Sequence, residues 1–356
     1  MKKFKLRRQP GLFDTDLRLT KLSTLGDPLE ILSQNIDFEL FRPVIENRIE
    51  NKSIKGKGGR PPYDYVMMFK ILVLQRVFNL SDAQAEFQIN DRLSFMRFLG
   101  LSEADDVPDE KTIWKFKEQL SDIKLVEELF DFFLTELADL GMELKSGRVV
   151  DASVVGAPVQ RNKKEDNEKI KEGERPAHFD QNPNVGRQKD TDARFTKKRN
   201  TTFFGYKNHV KIDLLTKLIL RFCASPANMH DSQALERLMD TEEDQGQDLY
   251  ADSAYSGEPC QETAESVGAV PQVCEKGYRG KPLTEAQKEA NTEKCKKRAR
   301  VEHVFGDMAM RLRGQALRCI GLRRAETHVG MLNLCYNLMR LCTLCAQGKT
   351  PKFMKA

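Results

Sequence analysis

The first 145 residues place apolar side chains three and four positions apart, in short runs separated by turn-forming residues. Apolar residues at this spacing share one face of a helix, so the pattern predicts a series of short helices. One helix is predicted from Leu29 to about Ile49. Another is predicted from Tyr63 to about Asn79, after a loop at 55–62 that is rich in Gly, Pro and Lys.

Capping residues mark where the later helices of this region begin. Ser81 and Gln84 have the spacing of a capping box, Asp109 is expected to cap the next helix, and Ser121 a longer one that ends near Gly141. Basic side chains projecting from such helices are typical of helix-turn-helix DNA readers, but a plain helical bundle with solvated charges has the same pattern. The basic positions are Arg76, Arg92, Arg97, Lys111, Lys115 and Lys117.

The spacing changes after residue 146, where runs of β-branched residues predict strands. The first strand spans 147–155, and segments 203–213 and 217–224 predict a hairpin. Two shorter strands, at 248–252 and 270–274, alternate with helices. Because no crossover helix separates the early strands, we expect a mixed α/β sheet and not a doubly wound one.

Residues 160–200, between the first strand and the hairpin, are rich in charged residues and Asn and nearly free of aliphatic side chains. Such a segment is predicted to bury too little apolar surface to order itself, and to form a mobile basic insertion. The chain is therefore expected to divide into a helical region at 1–145, a mixed-sheet domain at 146–345 that carries this insertion, and a tail at 346–356.

The composition limits the function classes without selecting one. Charged residues make up 31% of the 356 residues, hydrophobic ones 40%, and the net charge is +5. The eight cysteines lack the spacing of a disulfide framework, which favours a reducing cytoplasm. Cys342 and Cys345 have metal-type spacing, but they lie in an apolar helical stretch without a second pair, so buried helix cysteines are the preferred interpretation. No stretch is expected to reach the roughly 18 apolar residues of a membrane span.

Three carboxylates, two associated with predicted strands and one with a predicted helix, are candidate catalytic residues. Asp151 is at the centre of the first strand, Asp252 ends a later strand, and Glu302 lies on a basic helix. A buried aspartate costs several kcal/mol unless a cation compensates it, and oxygen-only ligands favour Mg²⁺ or Mn²⁺. Two such ions support displacement at a phosphodiester, although each acid taken alone is more typical of a structural or solvated carboxylate. Basic residues near Glu302 fit a polyanionic substrate: Lys294, Lys296, Lys297, Arg298, Arg300, Arg311 and Arg313.

The order of these motifs resembles the DDE transposases of bacterial insertion sequences, within them the group numbered five of the insertion-sequence-four-like superfamily. The motifs are Asp151, Gly205-Tyr206-Lys207 with His209, Asn228-x-His230-Asp231, Asp252-Ser253-Ala254-Tyr255 and Arg298-x-x-x-Glu302-His303-x-Phe305. Gly59-Arg60-Pro61-Pro62-Tyr63 and the helices that follow it resemble the helical domain that precedes the catalytic domain in that group.

The resemblance implies an RNase H-like mixed-sheet catalytic domain preceded by an all-α helical domain. It further implies that Asp151, Asp252 and Glu302 are the catalytic, metal-binding carboxylates and that Arg298 contacts transposon-end phosphates. The family's Tyr seven residues before the glutamate is Cys295 here, and its Lys seven after is Ala309, for which Arg311 or Arg313 is a substitute. Further DNA contacts are expected at Lys197, Lys198, Arg199, Lys207 and Arg300.

The leading hypothesis is a cytoplasmic, nucleoid-associated transposase that cuts double-stranded DNA at its element's ends and joins the 3′-hydroxyl to target DNA, as a homodimer. An RNase H-like nuclease without strand transfer is one alternative, and the basic helical region argues against it. A non-catalytic DNA-binding protein is another, although such a protein would be expected to have lost a carboxylate. His209 and His230 are expected to be structural or turn residues near the site.

Overall fold

The computed structural model describes residues 11–50, 61–158, 160, 162–198, 200–277, 282–314 and 316–354. Its N-terminal region is helical, as the spacing predicts. A 3₁₀ helix at Phe38–Phe41 adds to these α-helices: α1 (Asp14–Thr24), α2 (Pro28–Asn35), α3 (Arg42–Glu50), α4 (Tyr65–Phe78), α5 (Asp82–Asp91), α6 (Leu93–Leu99), α7 (Glu110–Asp122) and α8 (Leu125–Asp139).

Local cap chemistry sets most of these helix ends. Asp64 accepts a hydrogen bond from the Met67 backbone at the start of α4, which ends at a left-handed Asn79. The capping box of Ser81 and Gln84 is present. Asp109 caps α7 through the backbone N–H of Thr112. These three predicted starts are therefore confirmed.

Two predictions in the helical region are wrong. The single helix from Leu29 to Ile49 is interrupted, because Ile36 is extended and the Asp37 carboxylate caps a new 3₁₀ helix at the Glu39 backbone N–H. Ser121 does not cap α8; it lies in the last turn of α7, and its hydroxyl donates to the Arg323 carbonyl at 3.3 Å. Apolar spacing runs through both places, so periodicity alone does not reveal the change of direction.

Six strands form one mixed sheet. Strand β3 pairs antiparallel with β1, β2 and β4, whereas β1, β5 and β6 run parallel to one another. The fold class is the predicted one, an RNase H-like mixed sheet preceded by helices. The strands are β1 (Arg148–Gly156), β2 (Arg194–Lys198), β3 (Thr201–Asp213), β4 (Ile219–Pro226), β5 (Asp248–Ala251) and β6 (Val270–Val273).

The segment between β1 and β3 has structure of its own, so the prediction that it buries too little to fold is wrong. It forms three short helices and β2. Ile170 and Phe179 are buried, and the buried Asp190 accepts a hydrogen bond from the Tyr206 hydroxyl at 2.8 Å. The hydrogen bond between Asp190 and Tyr206 therefore attaches this segment to β3. The three helices are α9 (Lys164–Lys171), α10 (Ala177–Gln181) and α11 (Pro183–Gly186).

Helices after the hairpin cover both faces of the sheet. The 3₁₀ turns Asp231–Ala234 and Ser253–Tyr255 precede α12 and α14 respectively. The helices are α12 (Leu235–Leu238), α13 (Thr241–Asp244), α14 (Glu258–Ser266), α15 (Glu285–Arg311) and α16 (Leu322–Ala346).

Helix α16 joins the helical region to the sheet in one continuous core. Its buried Asn333 exchanges amide hydrogen bonds with Asn208 of β3, at 2.8 and 3.1 Å, and Asn337 bonds the Ile219 backbone in the same way. By length and composition alone α16 would span a membrane, contrary to the expectation that no stretch approaches one. Of its most apolar window, however, 72% is buried inside the protein. We therefore treat it as a core helix.

Candidate active site

Two of the predicted carboxylates lie at neighbouring strands, Asp151 within β1 and Asp252 directly after β5. Val149 of β1 pairs with Tyr250 of β5 in parallel register, and Asp151 and Asp252 each come two residues after this pair. Side chains two apart in a strand share a face, so both carboxylates belong to the same face of the sheet. Asp252 follows β5 directly, and its Oδ1 accepts a hydrogen bond from the Ala254 backbone at 2.8 Å.

The third carboxylate reaches this face from helix α15, through an arginine. Nη1 of Arg298 lies 3.1 Å from Oδ2 of Asp151, and Nη2 lies 2.6 Å from Oε1 of Glu302, one helical turn further on. The Asp151 side chain is 18% exposed and that of Glu302 55%. One guanidinium therefore bridges a partly buried strand carboxylate and an exposed helix carboxylate.

The surroundings of Asp151 disfavour its ionised form. Burial, with a smaller contribution from the negative charge of Asp252, raises the pKa of Asp151 to about 6. The Ala152 N–H, which donates to Oδ1 at 2.8 Å, and the charges of Arg298 and Lys198 act in the opposite direction. The positive groups present thus compensate the buried carboxylate only in part, as expected for a site that takes up a cation.

Lysines predicted to surround Glu302 instead fix α15 to the sheet. Lys297 donates to the Tyr250 hydroxyl at 2.6 Å, and Lys294 donates to the Val273 carbonyl at 3.0 Å. Both contacts hold the helix over the ends of β5 and β6. They thereby help to fix the position of Glu302 on α15. Both lysines, which the sequence suggested as contacts for a polyanion, have partners within the protein.

The structure separates the residues predicted to contact DNA. Lys197 and Lys198 are exposed at the end of β2, and Lys198 is close enough to lower the pKa of Asp151. Arg300 is exposed on α15, whereas Arg311 pairs with Asp307 at 3.1 Å at the far end of that helix. The contact predicted at Arg199 lies outside the described residues. Lys198 thus lies near Asp151, whereas Lys197 and Arg300 are exposed on the same two elements without a shown contact to the carboxylates.

Lys207 and His209 belong to the other face of the sheet. His209 pairs with Ala152 in the register, so it faces away from Asp151. Lys207 donates to Asp231 and to the Met229 carbonyl, both at 2.7 Å, so a DNA contact there requires breaking a partly buried ion pair. His209 is fully buried and bonds the Ser225 hydroxyl at 2.7 Å. The predicted structural role of this histidine agrees with that environment.

Sequence reasoning gave no role to Tyr255, which lies in the 3₁₀ turn directly after Asp252. Its hydroxyl is buried and has no hydrogen-bond partner among the described residues. Burial raises the pKa of Tyr255, and the charges of Asp231, Asp151 and Asp252 raise it further, which places the phenol amid three carboxylates. The Asp252-Ser253-Ala254-Tyr255 motif contains this residue, but a tyrosine after a strand is also typical of an apolar core.

The donor set suits Mg²⁺ or Mn²⁺, because its three carboxylates offer only oxygen ligands. In the described parts of the chain no three His, Cys, Asp or Glu side chains form a ready metal-binding group, and Arg298 joins two of the three carboxylates instead. Of the two cysteines predicted to be buried in a helix, Cys342 is buried in α16 and Cys345 is only half-buried. The three carboxylates are therefore suitable ligands for a divalent cation. In this structure Arg298 pairs with two of them, Asp151 and Glu302.

Comparison with known proteins agrees with this geometry. The family model described as "Transposase DDE domain" matches residues 143–338, and the model described as "Transposase domain (DUF772)" matches residues 17–119. A solved structure of the piggyBac transposase synaptic complex with hairpin DNA is 10% identical, with a TM-score of 0.43, over 94% of this chain and 78% of that one. The first family model spans more than half of the chain and includes Asp151, Asp252 and Glu302, and the protein therefore belongs to the DDE-domain transposase family.

Proposed function

We propose that this protein is the DNA transposase of a bacterial insertion sequence in the group numbered five. It would cut phosphodiester bonds at the ends of its element and join the released 3′-hydroxyl to target DNA. The observation that carries the proposal is the convergence of Asp151 and Asp252 on one face of the sheet, with Glu302 brought to them by Arg298. Strand-borne and helix-borne carboxylates at one place are what phosphodiester chemistry needs.

We propose Asp151, Asp252 and Glu302 as the ligands of Mg²⁺ or Mn²⁺. When bound, two such ions would activate the attacking oxygen and stabilise the leaving oxygen. Arg298 would then exchange its two carboxylates for a DNA phosphate, since a guanidinium binds either anion through the same planar pair of donors. Lys197 and Lys198, exposed at the end of β2, would hold the adjacent backbone.

The partners follow from the reaction. The substrate would be double-stranded DNA, both the terminal repeats and the target, and two copies of the chain would bring the two ends together. We place the protein in the cytoplasm, at the nucleoid. Two other functions fit the same fold: an RNase H-like nuclease that cuts without joining, and a transposase-derived protein that binds DNA without cutting it.

One assay separates the three functions. A labelled duplex that carries the element's own terminal repeat is incubated with protein and Mg²⁺, and both nicked and joined products are measured. The wild-type protein is expected to give both products. Glu302→Gln should bind the duplex but give neither, because an amide replaces the proposed ligand.

Glu293→Gln is the matched control, since Glu293 is an exposed glutamate of the same helix, paired with Lys296 at 2.6 Å. It should cut and join as the wild type does. Nicks without joined product would favour the nuclease. Binding without nicks, in wild type as in Glu302→Gln, would favour the non-catalytic protein.

A further inference from the structure

A cavity of about 410 Å³ lies between the helical region and helix α16, among α4, α7 and the segment 316–320. Its volume is that of pockets that take small ligands the size of a nucleotide. Its walls include five cations and two acids, together with the chain's single tryptophan. The cations are Arg76, Lys117, Arg187, Arg318 and Arg324, and the acids are Asp82 and Glu118.

Two of the cations are neutralised inside the protein. Lys117 pairs with Asp82, and Arg324 forms two hydrogen bonds to Glu118, at 2.6 and 2.8 Å. Both acids of the cavity are thereby used. Among the residues that the structure describes, Arg76, Arg187 and Arg318 form no ion pair.

Arg76 is the cation most in need of a partner. Its Nε is buried without a hydrogen-bond partner among the described residues, and its two Nη atoms lie 2.8 and 3.0 Å from the ring nitrogens of His328. Burial and the nearby Arg76 charge hold the pKa of His328 well below its usual range, so the ring is neutral. A neutral imidazole has one acceptor nitrogen, so it satisfies only one of those two contacts.

A secluded guanidinium without a carboxylate is costly, and an anion would relieve that cost. Arg318 lines the same cavity, donates to the Asn79 carbonyl at 3.1 Å, and has no ion pair in the described structure. Arg187 is exposed at the edge. An anion with several oxygens, such as a phosphate, would use donors from both Arg76 and Arg318.

Trp114 provides a second kind of surface in the same cavity. Its side chain projects from α7 and is 51% exposed, which is unusual for the only tryptophan of a chain that buries a large aromatic core. A half-exposed indole beside unpaired arginines offers a stacking platform for a base next to donors for its phosphate.

We propose that this cavity is a nucleotide-binding site, with the phosphate held by Arg76 and Arg318 and the base stacked on Trp114. The nucleotide is either free in solution or part of a bound DNA strand; the recognition chemistry is the same. None of the three carboxylates lines this cavity, so the proposal does not depend on the proposed cleavage reaction.

Trp114 is itself the probe, because no other tryptophan contributes to the fluorescence of the protein. The full-length protein is titrated with inorganic phosphate, with adenosine monophosphate and with a short single-stranded oligonucleotide. We expect a saturable fluorescence change. The affinity obtained from this change should be about tenfold or more weaker in Arg76→Gln and in Arg318→Gln, because each variant loses charge-assisted hydrogen bonds to the ligand. The control Arg18→Gln, an exposed arginine of α1, should respond as the wild type does.

The three ligands distinguish the sources of the nucleotide. A response to adenosine monophosphate that depends on Arg76 supports a free nucleotide, and one seen only with the oligonucleotide supports a nucleotide of bound DNA. The proposal is overturned if no ligand gives a saturable change, or if Arg76→Gln and Arg318→Gln respond as the wild type does. A second readout guards against misfolding: Arg76→Met should raise the melting temperature without ligand, because it removes an uncompensated charge. A lower melting temperature together with an intact response would assign Arg76 a structural role and refute the proposal.

Discussion

Acid should unfold this protein partly through His209. The ring is fully buried on β3, its Nε2 bonds Ser225, and its Nδ1 has no hydrogen-bond partner within the described structure. Burial lowers the pKa of His209 from 6.5 to about 4, although the charge of Asp231, 4.0 Å away, acts in the opposite direction. The difference between folded and unfolded pKa corresponds to about 3 kcal/mol of stability.

The sign follows from proton binding. Between pH 6.5 and about 4 the unfolded chain binds a proton at His209 that the folded protein does not. The stability tied to this residue is therefore complete above pH 6.5 and is lost as the pH falls toward 4. His209→Gln removes the titrating group and keeps a side chain that can bond Ser225, so its stability should fall less over that interval.

The assay is urea unfolding followed by circular dichroism, for both proteins at a series of pH values. The free energy of unfolding of the wild type, relative to His209→Gln, should decrease by about 3 kcal/mol across the interval. His178→Gln is the control, because it removes a histidine whose side chain is 51% exposed, whereas His209 is fully buried. An equal acid dependence of wild type and His209→Gln would refute the reasoning.

Three further changes probe the scaffold and the site. Asp244→Asn should cost about 3–5 kcal/mol in urea unfolding, because it leaves the buried Arg148 and Lys211, each 2.7 Å from Asp244, without that partner; the exposed Glu242→Gln should cost less than about 0.5 kcal/mol. Gly205→Ala should cost about 2 kcal/mol or more, because φ is +153° and a Cβ would lie 2.3 Å from the Val155 carbonyl oxygen; unchanged stability would contradict that geometry. Arg298→Gln should tighten Ca²⁺ binding by about tenfold in calorimetry, because it frees Asp151 and Glu302 from a competing cation; unchanged affinity would show that the bridge does not compete with metal.

Local chemistry explains which parts of the fold were predictable from the sequence. The caps at Ser81 and Asp109 act on backbone groups two or three residues away, so the sequence contains all of their parts. The insertion after β1 depends instead on the bond between Asp190 and Tyr206, and composition cannot show such a distant anchor. The break at Ile36 was missed for a related reason, because apolar spacing continues across it.

The candidate site divides in the same way. Motif order singled out Asp151, Asp252 and Glu302 because each stands beside recognisable elements. Charge along the sequence could not show that Lys207 is paired with Asp231, or that Lys297 fixes α15 to Tyr250. Tertiary packing decides which partner a charged side chain has. The basic residues near Glu302 in the sequence therefore suggested more DNA contacts than the structure leaves free.

The central claim is that Asp151, Asp252 and Glu302 hold a divalent cation while the protein cuts DNA. The most direct test replaces a proposed carboxylate ligand by a thiolate, which is a softer ligand. Cleavage of the terminal-repeat duplex is measured for wild type and Asp252→Cys in Mg²⁺ and in Mn²⁺. The wild type should cut with both ions, and Asp252→Cys should cut with Mn²⁺ only, because a thiolate is a poor ligand for Mg²⁺. Equal cleavage by Asp252→Cys and wild type in Mg²⁺ would contradict the assignment of Asp252 as a metal ligand.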